Sequence, residues 1–101
     1  MIVAIVRFPL PDGMSAEQAR SSFEASAPAY QGLPGLHRKY YLRSEDGSEG
    51  GGVYLWESRA AAEAVYDDAW RARLAERFGA EPHVEYLECP VVVDPEQITV
   101  A

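Results

Sequence analysis

The chain has 101 residues, 48% of them apolar and 25% charged, the size and balance of one globular domain with little margin of buried surface. Its 16 acidic and 9 basic side chains give a formal charge of −7, which argues against a nucleic-acid interface and against attraction to an anionic membrane. A lone cysteine, Cys89, leaves no intrachain disulfide and fits a reducing compartment, so cytoplasm is the expected location.

Residues 2–8 are β-branched and apolar almost throughout, which predicts a strand covered on both faces. The run at 2–6 is too short for a signal-peptide core, and no stretch approaches the ~20 apolar residues of a membrane span. Pro9, Pro11, Asp12 and Gly13 end the strand in a turn. Ser15 with Gln18 three residues on is a capping-box pattern, and Ala16, Ala19, Phe23 and Ala27 form one apolar helical stripe. Pro28 breaks that helix or restarts it as a final turn through Tyr30.

Residues 36–43 read as a second strand, 44–50 as a polar loop and 53–57 as a third strand, together a hairpin. Gly50, Gly51 and Gly52 suggest a bulge or a close backbone approach at its entry. Ser58 caps an Ala-rich helix whose apolar stripe shifts phase at Asp67 and Asp68. Asp68 is expected to cap a second short helix bearing Trp70, Leu74 and Phe78, which Gly79 ends. Residues 82–93 are a last extended segment, with Pro90 marking an edge or a bulge.

The order β-α-β-β-α-β predicts an α+β, ferredoxin-like domain over residues 1–94: a four-stranded antiparallel sheet with helices on one face. Residues 95–101 are then a tail, or an arm that crosses to a partner. Because the first strand is apolar on both sides, the helix-free face also wants burial. A second copy of the chain is the commonest cover, so a homodimer is expected.

The run Gly35-Leu36-His37-Arg38-Lys39-Tyr40-Tyr41-Leu42, then Gly51-Gly52-Val53-Tyr54-Leu55-Trp56-Glu57-Ser58 and an Ala-rich helix, resembles the YdhR-like monooxygenase family of the dimeric α/β-barrel superfamily. The resemblance implies two sheets closing a dimeric α/β barrel, with a pocket between sheet and helices in each subunit. It also implies oxidation of phenolic compounds by O₂ with no flavin, haem or metal cofactor. Trp56 sits where that superfamily often carries an aromatic beside the pocket. Gly52 stands where the oxidising relatives have a pocket Asn, and Val65, Tyr66 and Asp67 occupy the helix region where a His is common.

His37 and His83 are the only histidines, and no convergent ligand set supports a metal site. His37 is the candidate general base, because an imidazole titrates near working pH, and Tyr41 is the second catalytic candidate. Six tyrosines and two tryptophans either pack a core and a dimer interface or wall a pocket for a flat, apolar or aromatic molecule. By alternation His37, Lys39 and Tyr41 share one face of the second strand, and Tyr54 and Trp56 one face of the third. If those faces align, Tyr54 and Trp56 line a substrate surface that Tyr66 or Trp70 closes from the helices.

Cofactor-free oxygenation needs a deprotonated, electron-rich substrate, a donor such as a Tyr hydroxyl, Lys39 or Arg38, and exclusion of water. There is no phosphate-binding Gly loop before a helix and no nucleophile elbow. Two functional readings stand: a cofactor-independent monooxygenase for a small aromatic or quinone-like substrate, and a non-catalytic homodimer that binds such a molecule. Haem held by His37 or His83 is a third.

Overall fold

The computed structural model describes residues 1–100. Four strands form the main sheet: β1 (Ile2–Pro9), β2 (Leu36–Arg43), β3 (Glu49–Trp56) and β4 (His83–Glu88), in the order β2-β3-β1-β4 with every neighbour antiparallel. Helices α1 (Ala16–Ser26), α2 (Arg59–Val65) and α3 (Asp68–Phe78) cover one face. This is the ferredoxin-like α+β arrangement expected from the sequence. No described helix is long and apolar enough to cross a membrane.

The helix ends follow from local chemistry. Ser15 Oγ accepts from Gln18 N at 3.1 Å and Gln18 Oε1 accepts from Ser15 N at 2.9 Å, completing the capping box. Pro28 stops α1 and the chain continues as one tight 3₁₀ turn, Ala27–Tyr30. Ser58 caps α2. The cap of α3 is Asp67, whose carboxylate accepts from Trp70 N at 2.8 Å, and not Asp68, which is already helical. Gly79, with φ of 85°, ends α3 in the left-handed conformation.

The third strand is longer than its side chains suggest. It starts at Glu49 and runs through the three glycines, where a strand was expected only from residue 53. Pairing from both sides overrides the poor strand propensity of glycine, and close packing requires it. A Cβ on Gly51 would overlap the Val6 carbonyl oxygen of the neighbouring strand.

The core lies between sheet and helices. Ala4, Val6 and Phe8 of β1 alternate inward with Tyr54 and Trp56 of β3, beneath Phe23, Ala62, Trp70 and Phe78. Ala4 stands opposite Tyr54 on one side and Tyr86 on the other, a small residue that leaves room for two rings. Phe8 stacks on Phe78 at 4.1 Å between ring centres.

The opposite face carries no helix. Alternation and register place Val3, Ile5, Val53 and Leu55 there, flanked by Tyr40, Leu42 and Leu87, which are 54%, 47% and 49% exposed. After Pro90 the chain leaves this sheet. β5 (Val91–Val93) pairs with β6 (Ile98–Val100) in a separate two-stranded hairpin whose turn Asp94 organises by accepting from Glu96 N and Gln97 N. Val93, Ile98 and Val100 are 69%, 67% and 76% exposed.

Candidate active site

A cavity of about 340 Å³ opens between the β2–β3 side of the sheet and the helical layer. Lys39 and Tyr41 of β2 and Tyr54 of β3 form its floor, while Gly51 contributes only backbone. Tyr30 enters from the 3₁₀ turn, because the break at Pro28 redirects the chain across the sheet. Trp70 closes the far side and its Nε1 donates to the Tyr30 hydroxyl at 2.9 Å. Phe23 stacks on Tyr41 at 5.0 Å between centres, and Ser26 Oγ and the Tyr41 hydroxyl share a hydrogen bond of 2.6 Å.

Lys39 stands at the centre of this group. Its Nζ lies 3.3 Å from the Tyr30 ring centre, 3.7 Å from Tyr41 and 4.6 Å from Tyr54. Gly52 makes the space: a Cβ there would come 3.0 Å from the Tyr40 carbonyl oxygen, 3.1 Å from the Tyr54 ring and 3.5 Å from Lys39 Cε. Burial pulls the Lys39 amine down to about 7. The three ring faces favour its ammonium form, so both protonation states are accessible near neutrality. The ion pairs among the described residues join Arg7 to Glu85, Arg20 to Glu24 and Arg59 to Glu63, and none reaches Lys39.

The hydroxyls around the amine behave differently. Burial pushes the Tyr54 phenol well above its ordinary range, and burial also raises Tyr41. Both therefore stay neutral phenols. The charged side chains on the cavity wall are Lys39, Arg73, Arg77 and Asp67, three basic and one acidic, in a chain of net charge −7. The local field opposes that of the whole chain.

Tyr41, Tyr54 and Trp70 thus meet at the cavity. Trp56 and Tyr66 lie behind its wall. Both are buried, with Trp56 Nε1 donating to the Tyr66 hydroxyl at 3.0 Å and the two rings perpendicular at 5.7 Å. They support the wall by packing, through the stack of Trp56 on Tyr54 and the contact of Tyr66 with Trp70.

His37 is not brought to the cavity. The β2–β3 register jumps between Leu36 and Arg38, so His37 occupies an irregularity and is exposed. Simple alternation fails there, while Lys39 and Tyr41 beyond it keep facing the helices. His83 is exposed on the bare face, opposite Arg7. Among the described residues no cluster of three or more His, Cys, Asp or Glu is placed to hold a metal ion.

Tyr30, Arg73 and Arg77 also line the cavity and were not among the site residues expected from the sequence. Pro28 was the available signal for Tyr30, since a break there turns the following ring toward the sheet.

A family model described as "Putative mono-oxygenase ydhR" matches residues 4–98. No curated protein matches the chain. Among solved structures, the NE2512 protein of unknown function from Nitrosomonas europaea superposes with a TM-score of 0.71 at 20% identity, covering 93% of each chain. The monooxygenase ActVA-Orf6 of Streptomyces coelicolor, in complex with nanaomycin D, gives 0.68 at 20% identity over 93% of this chain and 91% of that one. A mutant form of SnoaB, a cofactor-independent oxygenase from Streptomyces nogalater, gives 0.63 at 16% identity over 87% and 91%. At these identities the likeness is one of fold.

Proposed function

The chain belongs to the ydhR mono-oxygenase family, and from that premise we propose that it oxidises a small aromatic or quinone-like molecule in the cavity between sheet and helices, with O₂ as oxidant and no added cofactor. The observation that carries this reading is the cavity itself: about 340 Å³, walled by Tyr30, Tyr41, Tyr54 and Trp70, with polar tips at one place on an aromatic lining. That is the shape and chemistry of a site for a flat ring system. Nanaomycin D on ActVA-Orf6 and the oxygenase character of SnoaB support the same class of ligand and reaction.

The chemistry balances without an external reductant. A phenolate passes one electron to O₂, and the radical pair joins at a ring carbon as a peroxide. Loss of the ring proton with cleavage of the O–O bond leaves a quinone carbonyl and hydroxide. One oxygen atom stays in the product, and the other leaves as water. The Tyr54 hydroxyl, kept protonated by burial, donates to the developing oxyanion.

The second part of the proposal is a homodimer through the bare sheet face. Tyr40, Leu42 and Leu87 flank the apolar rows of β1 and β3 there, a patch that a monomer leaves in water. Packing two such faces together closes a barrel.

Oxygen consumption over a panel of phenols and hydroquinones tests the reaction. At least one should be turned over, with product that has gained one oxygen atom from ¹⁸O₂ and lost two hydrogens, and Trp70→Ala should lower kcat/KM by about tenfold or more. Binding of the panel without any oxygen uptake would replace this reading with the non-catalytic binding dimer.

A further inference from the structure

Oxidation by O₂ sets one task for the groups that face the cavity, removal of the substrate's hydroxyl proton. The Tyr41 and Tyr54 phenols are held protonated by burial. The Tyr30 oxygen accepts from Trp70 Nε1, and the Asp67 carboxylate is committed to the N-terminus of α3. Arg73 and Arg77 supply standing positive charge, with Arg77 also donating to the Ser22 carbonyl at 3.1 Å. His37 lies outside. Lys39 is left: an amine with no carboxylate partner among the described residues, seated over three ring faces on the cavity floor.

We propose that Lys39 is the catalytic base of this site, taking the proton of the substrate's hydroxyl and holding the resulting anion beside its ammonium. The inference rests on the oxidative reading of the cavity and deepens it by assigning the group that ionises the substrate.

The step is a plain proton transfer. The substrate O–H bond breaks, the Lys39 lone pair takes the proton, and an N–H bond forms at Nζ. The resulting pair is ammonium and phenolate. The ammonium stays in its cage of Tyr30, Tyr41 and Tyr54, and the phenolate lies in a wall whose basic groups outnumber its acidic one by three to one. A phenolate gives up an electron to O₂ far more readily than a phenol does. At the end of the cycle the proton on Nζ and the ring proton both reside in the released water, and the amine is restored.

An amine that titrates at about 7 suits this cycle, because it is a competent base at neutral pH and a competent acid one step later. The titratable and charged groups around it are Tyr30, Tyr41 and Tyr54, whose ring faces it touches, Asp67, Arg73 and Arg77 across the cavity, and His37 and Arg38 along the outer groove that Lys39 also lines. Of these only Asp67 is acidic, and it serves α3.

The test uses 4-nitrophenol, whose anion is yellow and whose neutral form is not, with its methyl ether 4-nitroanisole as the partner that cannot ionise. At slightly acidic pH, where free 4-nitrophenol is mostly colourless, the wild-type protein should bind it as the yellow anion and prefer it over the ether by about tenfold or more. Lys39→Met, checked for folding by circular dichroism, should bind the two alike and leave the phenol colourless. Lys39→Arg keeps the charge but not the titration. It should still bind the anion, and its oxygen uptake should follow the substrate's own ionisation with pH.

A colourless bound phenol on the wild-type protein, an anion band that persists in Lys39→Met, or no binding at all overturns the assignment. So does oxygen uptake that Lys39→Met leaves untouched, which would spare the oxidative reading. Anion binding lost in Lys39→Met, with no oxygen uptake by any variant, leaves the proton acceptor in place and sinks the oxidation instead.

Discussion

Lys39 and Tyr41 turn from β2 toward the helices, while Tyr40 and Leu42, one residue away from each, turn toward solvent. The usual distribution of polarity is reversed: the amine is inside and the greasy side chains are outside. Each side has its own cost. Burying an amine depresses its charged form, and exposing Tyr40 and Leu42 leaves apolar surface in water. β1 shows no such inversion, since Ala4, Val6 and Phe8 are plain core. The contrast fits the two proposals made above, a ligand on the inner side of β2 and a second chain on its outer side.

The most drastic way to break the contrast is Gly51→Ala. Gly51 pairs with Leu42, lines the cavity and has the Val6 carbonyl where a methyl would stand. Because backbone and not a flexible side chain is in the way, the variant should lose about 3 kcal/mol or more, or fail to fold, as read by urea denaturation. Next comes the outer side alone. Leu42→Asp places a charge on the apolar flank of the proposed interface and should weaken the dimer by about 100-fold or more in sedimentation equilibrium. A stable monomer of the unchanged chain at micromolar concentration would remove that interface.

The smallest effect concerns the inner side. Lys39 has its folded value pulled from 10.5 to about 7, so between those limits the unfolded chain binds more protons than the folded one. Stability of the wild-type protein is therefore greatest above 10.5 as far as Lys39 is concerned, falls as the pH drops through the window, and has lost the full contribution below 7. Lys39→Met should accordingly be the more stable protein at pH 6, by about 1–2 kcal/mol, with the gain shrinking toward pH 10. Thermal melts at the two pH values check the sign, and a gain that grows with pH would contradict the burial of the charge.

Much of the scaffold was legible because its signals are local. Ser15 with Gln18, Ser58 and Gly79 act within one helical turn, and the structure places them at the helix ends where they were read. The errors lie where distant contacts decide. Glycines 50–52 argue against a strand until β1 and β2 close on them from both sides. Asp67 and Asp68 are the same residue type, so only the hydrogen bond to Trp70 N tells which one caps. Alternation put His37 beside Lys39 and Tyr41, and the irregular position in β2 leaves it on an outer groove that all three line, outside the cavity. The inward direction of Lys39 was readable from its spacing to Tyr41. Its loss of water was not, since that depends on Tyr30 arriving from another segment.

The β5–β6 hairpin has a consequence of its own. Its ladder joins only Val91–Val93 to Ile98–Val100, and its apolar side chains lie open. A ribbon of two strands is marginal in water by itself. Its amide protons should therefore exchange fast in dilute solution and slow down as the protein is concentrated, while those of β1 stay protected throughout. Such a dependence on concentration would make the hairpin a label-free gauge of the proposed dimer.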